Sequence, residues 1–217
     1  MNDEGPLRQS LAHCLREMAA GDLSPGASGN ISARWCDGML VSASGLKAAS
    51  ATADDFVFVE GDSTDAPLYT GSLRPSSEWL MHLRLYQCRP ATQAIVHCHS
   101  PFATALACKH LPIPAFHYMV SIAGGDSIPC CDYALFGTEQ LAEQVALALT
   151  DRTACLMANH GQISVGDTPQ RALALAAEVE SLARMYLLAR QGGEPELLDR
   201  EQMMAVFEKF RGYGQRL

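Results

Sequence analysis

Two short apolar runs restrict the folds open to this chain more than any other feature. Ala94-Ile95-Val96 passes straight into His97-Cys98-His99, and residues 154–158 pass into Asn159-His160-Gly161. Runs this short and this apolar read as buried strands, with polar residues where the chain leaves the sheet. Further strand-like pieces cover residues 31–35, 38–43 and 55–60. Around them the periodicity becomes helical. Leu7, Leu11, Cys14 or Leu15, and Met18 share one face, which predicts a helix over residues 6–20 ended by Gly21 and Asp22. Ser76 opens a helix to about residue 88, and Ser100-Pro101 supplies an N-cap and an N1 residue for another. Thr138 starts a helix with Leu141, Val145 and Leu149 on one face. Thr168-Pro169 starts a long one ending at Gly192-Gly193, and Asp199 with Gln202 forms a capping box for the last. Residues 24–30 and 71–75 read as loops. Alternating strands and helices predict an α/β sheet covered by helices, with the strand order left open.

The chain has 217 residues, 48% of them hydrophobic, which is enough for one core and one domain. Its net charge of −8 comes with no basic patch or stripe, which argues against a nucleic-acid partner. It leaves a phosphorylated substrate open, because backbone N–H groups and hydroxyls bind phosphate without net positive charge. No run reaches the roughly 18 apolar residues of a membrane span. The beginning MNDEGPLRQS has acids and no apolar stretch, so no signal peptide and a cytoplasmic location are expected. The eight cysteines contain no CxxC pair, which fits free, buried thiols in a reducing compartment.

Alternation along a strand places His97 and His99 on one face and turns Cys98 the other way, into the core. Two adjacent imidazoles suit capture of one metal ion, and His160 at another strand end adds a third. Three neutral imidazoles with an open position are a common way to hold catalytic zinc, and Glu78 fits the fourth position or a base beside it. Each piece alone has a plainer reading. An isolated His-x-His is often core or surface, Ser76 and Ser77 suit simple N-capping, and Gly29-Asn30 suits a turn. His13 and His82 read as ordinary helix residues and His110 as a helix end, while His117 beside Tyr118 stays ambiguous.

Taken together the motifs resemble the class II aldolase/adducin family. They run in family order from about residue 7 onward: Ser28-Gly29-Asn30-Ile31-Ser32, Ser42-Ala43-Ser44-Gly45, Pro75-Ser76-Ser77-Glu78-Trp79 and Val96-His97-Cys98-His99. Then come Phe116-His117-Tyr118-Met119, Gly124-Gly125, Ser127-Ile128-Pro129-Cys130, Tyr133-Ala134-Leu135-Phe136-Gly137-Thr138, Asn159-His160-Gly161 and Glu208-Lys209-Phe210-Arg211-Gly212-Tyr213-Gly214. The resemblance implies zinc, or another divalent ion in its place, one per chain, on His97, His99 and His160. Glu78 would complete the resting metal shell and act as the acid/base residue. Gly29, Asn30, Ser44, Gly45, Ser76 and Ser77 match the family's phosphate pocket. Tyr118 matches a tyrosine that acts in a neighbouring subunit's site, and Tyr213 one on a C-terminal tail. The implied fold is a single domain over residues 1–217, an α/β architecture with a central, mostly antiparallel or mixed sheet flanked by α-helices. Residues 205–217 are implied as a mobile tail, and the assembly as a homotetramer with sites at subunit interfaces.

Ser44 stands where the family's aldolases carry threonine, which keeps the hydroxyl, and residues 61–73 run a little longer than the family pattern. The implied reaction is cleavage of a ketose 1-phosphate, such as L-fuculose 1-phosphate or a related deoxyketose 1-phosphate, to dihydroxyacetone phosphate and an aldehyde such as L-lactaldehyde. A metal stabilises the enediolate and a carboxylate handles the carbon-bound proton. The alternative is another metal-dependent reaction on a sugar phosphate: a pentulose-phosphate 4-epimerase, a methylthioribulose-phosphate dehydratase or a sugar-acid-phosphate decarboxylase. A non-catalytic scaffold of adducin type would need the fold but not the histidines.

Overall fold

The computed structural model describes residues 3–26 and 28–211, so Tyr213 and the last part of the expected tail lie outside the described residues. Seven strands form one mixed sheet. They are β1 (Asn30–Trp35), β2 (Gly38–Ser42), β3 (Phe56–Glu60), β4 (Ala94–Cys98), β5 (Cys130–Cys131), β6 (Ala154–Met157) and β7 (Gly161–Gly166). Their spatial order is β3-β2-β1-β4-β7-β6-β5. Every neighbouring pair is antiparallel except β5 with β6. The order joins two halves at β1-β4-β7, where strands far apart in sequence meet.

Helices α2 (Trp79–Cys88) and α4 (Glu139–Ala148) cover one face. They pack with Met39, Val41, Val59, Ile95, Cys155, Met157, Ile163 and Val165. The other face carries α1 (Gly5–Ala20), α3 (Pro101–Ala107) and α5 (Pro169–Ala189) over Ile31, Ala33, Leu40, Ala94, Val96, Cys98, Ala154 and Leu156. Strand alternation explains the division: odd-numbered β4 residues look towards α2, even-numbered ones towards α1 and α5. Cys98 is accordingly fully buried in the second core, as expected.

The helices start close to where their caps predict. Thr138 Oγ1 accepts from Leu141 N, Thr168 Oγ1 from Arg171 N, and Asp199 with Gln202 closes a capping box on α6 (Arg200–Phe210). Residues 205–210 of the expected tail therefore lie within a helix. Four expectations differ from the structure. The helix expected from Ser76 begins at Trp79, with Glu78 as its N-cap residue, because Ser77 and Glu78 form a turn first. Ser100 holds the N-cap position of α3 but does not cap it. Its hydroxyl accepts from Gln162 Nε2 at 2.6 Å. The free N–H groups of Phe102 and Ala103 instead donate to the Glu180 carboxylate of α5, at 2.8 Å each. Strand β7 carries polar residues that hid it: buried Gln162 and Ser164 bond to the Ala176 and Ala172 carbonyls of α5. All eight cysteines are free, but Cys36, Cys88 and Cys108 are exposed where buried thiols were expected. Among the described residues no helix is long and apolar enough to cross a membrane.

Glu180 thus ties α3 to α5 through charge-assisted bonds to a helix terminus. Replacing it with alanine leaves two donors without that acceptor and is expected to cost about 1–2 kcal/mol of stability. Urea unfolding of Glu180→Ala measures this, and an unchanged midpoint would contradict the capping role.

Candidate active site

Two segments distant in the chain bring the histidines together. His97 lies on β4, His99 just past its end, and His160 in the turn of residues 158–160 that joins β6 to β7. That turn places Asn159 at φ 53°, a left-handed conformation that asparagine tolerates better than most residues. Gly161 follows, and a Cβ there would sit 2.5 Å from the Cys98 carbonyl oxygen and 3.0 Å from the His99 ring. A glycine is what lets the end of β4 approach β7 closely enough for His99 and His160 to share a site. The ring centroids are 4.8 Å apart for His97–His99 and His97–His160, and 4.9 Å for His99–His160.

The arrangement fits a cation. His97 Nδ1 donates to the Gln162 backbone carbonyl at 2.8 Å, which turns its Nε2 towards the other rings. That Nε2 is 3.0 Å from His99 Nε2 and 3.1 Å from Glu78 Oε2, while His160 Nε2 is 3.2 Å from Glu78 Oε1. The four ligand atoms all lie within 4.8 Å of one another. Glu78 Oε1 is buried and, despite its nearness to His160, has no hydrogen bond of proper geometry. Nitrogen lone pairs and carboxylate oxygens converging on one point repel unless a positive charge sits among them. Three nitrogens and one oxygen make a donor set suited to a divalent ion.

The protonation tendencies tell the same story. Burial alone would push the Glu78 carboxyl up, but the His97 charge and the close approach of the His160 and His97 ring nitrogens hold it far below the carboxylate range. Burial likewise opposes charge on His97, and the facing Glu78 carboxylate outweighs it and raises that imidazole. A proton on His97 and a bound cation are alternative ways of meeting the same demand for positive charge. His99 is pushed down to about 4, by burial first and then by the charges of His97 and His160, which keeps its ring neutral.

Behind Glu78 runs a buried polar chain. Asn30 Nδ2 donates to Glu78 Oε2 at 2.9 Å, and Asn30 Oδ1 is 2.5 Å from His82 Nε2. His82 Nδ1 is 2.7 Å from Ser32 Oγ, which is 2.8 Å from Tyr86 OH. Asn30, expected among the phosphate ligands, therefore turns its amide to the carboxylate. His82, expected as an ordinary helix residue, is fully buried, and burial pushes its imidazole down to about 3. Its position four residues after Glu78 was the available signal, since that spacing returns to one side of a helix.

In front of Glu78 opens a cleft of about 310 Å³. Gly29, Asn30, Ser44, Gly45, Ser76 and Ser77 all line it, together with Glu78, His99 and His160. Gly29 has φ 83°, and a Cβ there would strike Ser24 Oγ and lie 2.8 Å from the His97 carbonyl oxygen, so the loop passes against β4 only as glycine. Ser76 is buried and its hydroxyl accepts from Glu78 N at 3.3 Å, while Ser44, Gly45 and Ser77 are exposed. Among the described residues, no lysine or arginine lines it. Any anion there meets hydroxyls and backbone N–H groups. Tyr133 and Phe136, to which sequence reasoning gave no role, form an aromatic rim, 56% and 59% exposed. Tyr118 is outside the cleft of its own chain, half-exposed, with its ring stacked 6.3 Å from that of Phe210.

Comparison with known proteins follows the same lines. Residues 9–187 match the family described as Class II Aldolase and Adducin N-terminal domain. The chain is 44% identical over 208 residues to the 5-methylthioribulose-1-phosphate/5-deoxyribulose-1-phosphate aldolase of Rhodospirillum rubrum, covering 96% of this chain and 92% of that one. It is also 44% identical over 211 residues to the L-fuculose phosphate aldolase of Escherichia coli O6:H1, covering 97% and 96%. A solved structure of an L-fuculose 1-phosphate aldolase superposes with a TM-score of 0.90 at 35% identity, covering 96% of this chain and 98% of that one. The mixed sheet flanked by helices is thus the fold of these enzymes, and the chain belongs to the class II aldolase and adducin family, among its metal-dependent carbon–carbon lyases.

Proposed function

We propose that the protein cleaves a ketose 1-phosphate to dihydroxyacetone phosphate and an aldehyde, using a divalent ion, zinc by choice of donor set, on His97, His99 and His160. The observation that carries this reading is one cleft lined by a buried carboxylate, by two of three converging imidazoles with the third directly behind them, and by hydroxyls and glycines. The ion supplies Lewis-acid stabilisation of negative charge developing on the substrate oxygens. Glu78 would hold the ion with the three histidines at rest and would serve as the general base when substrate is bound. In the cleavage direction the hydroxyl beyond the scissile bond gives its proton to Glu78 and becomes the aldehyde. The electron pair of the broken bond passes into the carbonyl-bearing half, and Glu78 returns a proton to the carbon that lost its partner. Gly29, Ser44, Gly45, Ser76 and Ser77 hold the phosphate, and Asn30 orients Glu78 at the edge of that pocket.

The relatives named above act, by their names, on fuculose phosphate or on methylthioribulose and deoxyribulose 1-phosphates. The phosphorylated end is common to these and the aldehyde end varies, so L-fuculose 1-phosphate and a 5-deoxypentulose 1-phosphate are the substrates of this proposal. Epimerase, dehydratase and decarboxylase readings find no support in those names. The same reading includes a cytoplasmic homotetramer in which Tyr118 serves a neighbouring subunit's cleft and Tyr213 closes over the site. The exposure of Tyr118 outside its own cleft supports the first of these roles.

Elemental analysis of metal-replete protein is expected to find about one divalent ion per chain, as a three-histidine site requires, and His160→Ala to lose it. Full occupancy in His160→Ala would remove that ligand. Glu78→Gln is expected to keep the metal and lose about 10²–10⁴-fold in kcat, the range of a general base. Wild-type turnover in that variant would exclude Glu78 from the proton transfer. A panel of ketose phosphates, read out as triose phosphate formed, should favour 1-phosphates over the same sugars without phosphate. Equal rates would show that the hydroxyl-lined pocket holds no anion.

A further inference from the structure

The polar chain behind Glu78 has a fixed direction that follows from its last acceptor. An ionised carboxylate only accepts, so Asn30 must present its NH2 group to Glu78 Oε2 and its carbonyl oxygen to His82. His82 Nε2 must then carry the proton and donate to Asn30 Oδ1, which leaves Nδ1 as an acceptor for the Ser32 hydroxyl. Ser32 Oγ, having given its proton, accepts from Tyr86 OH. Four hydrogen bonds thus point the same way, each towards the carboxylate. Ser32 and His82 are fully shielded from solvent and Asn30 is 4% exposed, so water offers no alternative partner. The two orientations of an amide fill nearly the same space, so its neighbours must distinguish its ends. The flipped orientation would set Asn30 Oδ1 against Glu78 Oε2, oxygen against oxygen.

We propose that His82 is a positioning residue for the carbon–carbon bond chemistry: its Nε2–H locks the Asn30 amide so that Asn30 holds the Glu78 carboxylate in place for proton transfer. The proposal rests on Glu78 acting as the base. His82 neither lines the cleft nor belongs to the four converging ligands, and its hydrogen-bonded link to Glu78 runs through Asn30. The chain extends the hold on Glu78 back to Tyr86, whose ring is in turn covered by the Arg34 guanidinium at 4.9 Å.

The test compares His82→Leu, which fills similar volume with no polar atom, with His82→Gln, whose amide offers a donor and an acceptor at a spacing like that of the ring nitrogens. In metal-replete full-length protein, His82→Leu is expected to lower kcat about 10- to 100-fold, the range for supporting-shell partners, with KM and metal content little changed. His82→Gln should recover most of that loss. On a Glu78→Gln background His82→Leu should cost nothing further, since both act through one carboxylate. Wild-type kcat in a folded His82→Leu, additive losses with Glu78→Gln, or equal impairment of His82→Gln together with lost metal would each overturn the proposal. If His82→Leu does not fold, Ser32→Ala carries the test: a lower kcat at unchanged KM supports the chain and an unchanged kcat overturns it. Full activity of Glu78→Gln would instead sink the base assignment and this proposal together, whereas an inactive Glu78→Gln beside an active His82→Leu sinks this proposal alone.

Discussion

The register of β4 between β1 and β7 is the constraint on which the site depends. His97 stands opposite Asn30 on one side and Ile163 on the other. Because side chains alternate along a strand, a slip of one residue would turn His97 and His99 into the α1 and α5 core and bring Cys98 to the cleft. Two features hold the register. Ile95 and Val96 are fully buried in opposite cores, so both faces of β4 are specified. The Gln162 carbonyl accepts from His97 Nδ1, which ties the ring to the neighbouring strand as well as the backbone. The same sheet geometry that packs the core therefore orients the imidazole nitrogens.

A site built this deep must meet the cost of burying charge. Glu78 is only 7% exposed and its carboxylate is pulled from two directions, by the imidazoles in front and by the Asn30 amide behind. Removing a partner from such a charge leaves it desolvated and unpaired, which is costly in a low-dielectric interior. The position of Glu78 at the N-cap, rather than inside α2, allows both contacts. Its backbone sits in the turn that also lines the cleft, while its side chain reaches back over the sheet.

Much of this was legible from residues alone, and the exceptions have physical causes. The strand and helix positions followed from apolar period and caps such as Thr138, Thr168 and Asp199, where local chemistry decides the structure. The His97 and His99 pairing followed from the period of a strand. Strand β7 was hidden because Gln162 and Ser164 look polar, and only the long-range bonds to α5 show why they are buried. The sequence around Ser100 fits a cap, yet the partner that caps α3, Glu180, lies 77 to 78 residues from the N–H groups it accepts from. His82 and the turn of Asn30 towards Glu78 depend on the packing of α2 across β1. Local pattern carries no record of that packing.

The cleft divides into a part held by backbone and a part held by side chains alone. Gly29, Gly45 and Ser76 are placed by turns and strand ends, with positive φ at both glycines, so their geometry changes little with neighbouring substitutions. Tyr133 and Phe136 at the rim are more than half exposed. On the proposed reaction the fixed part takes the phosphorylated half of the ketose and the rim meets the aldehyde half. A scaffold arranged this way can change its aldehyde by exchanging exposed rings while leaving the metal, base and anion pocket untouched. That is a physical reason for relatives of equal similarity to carry names that share a phosphate and differ at the other end of the sugar.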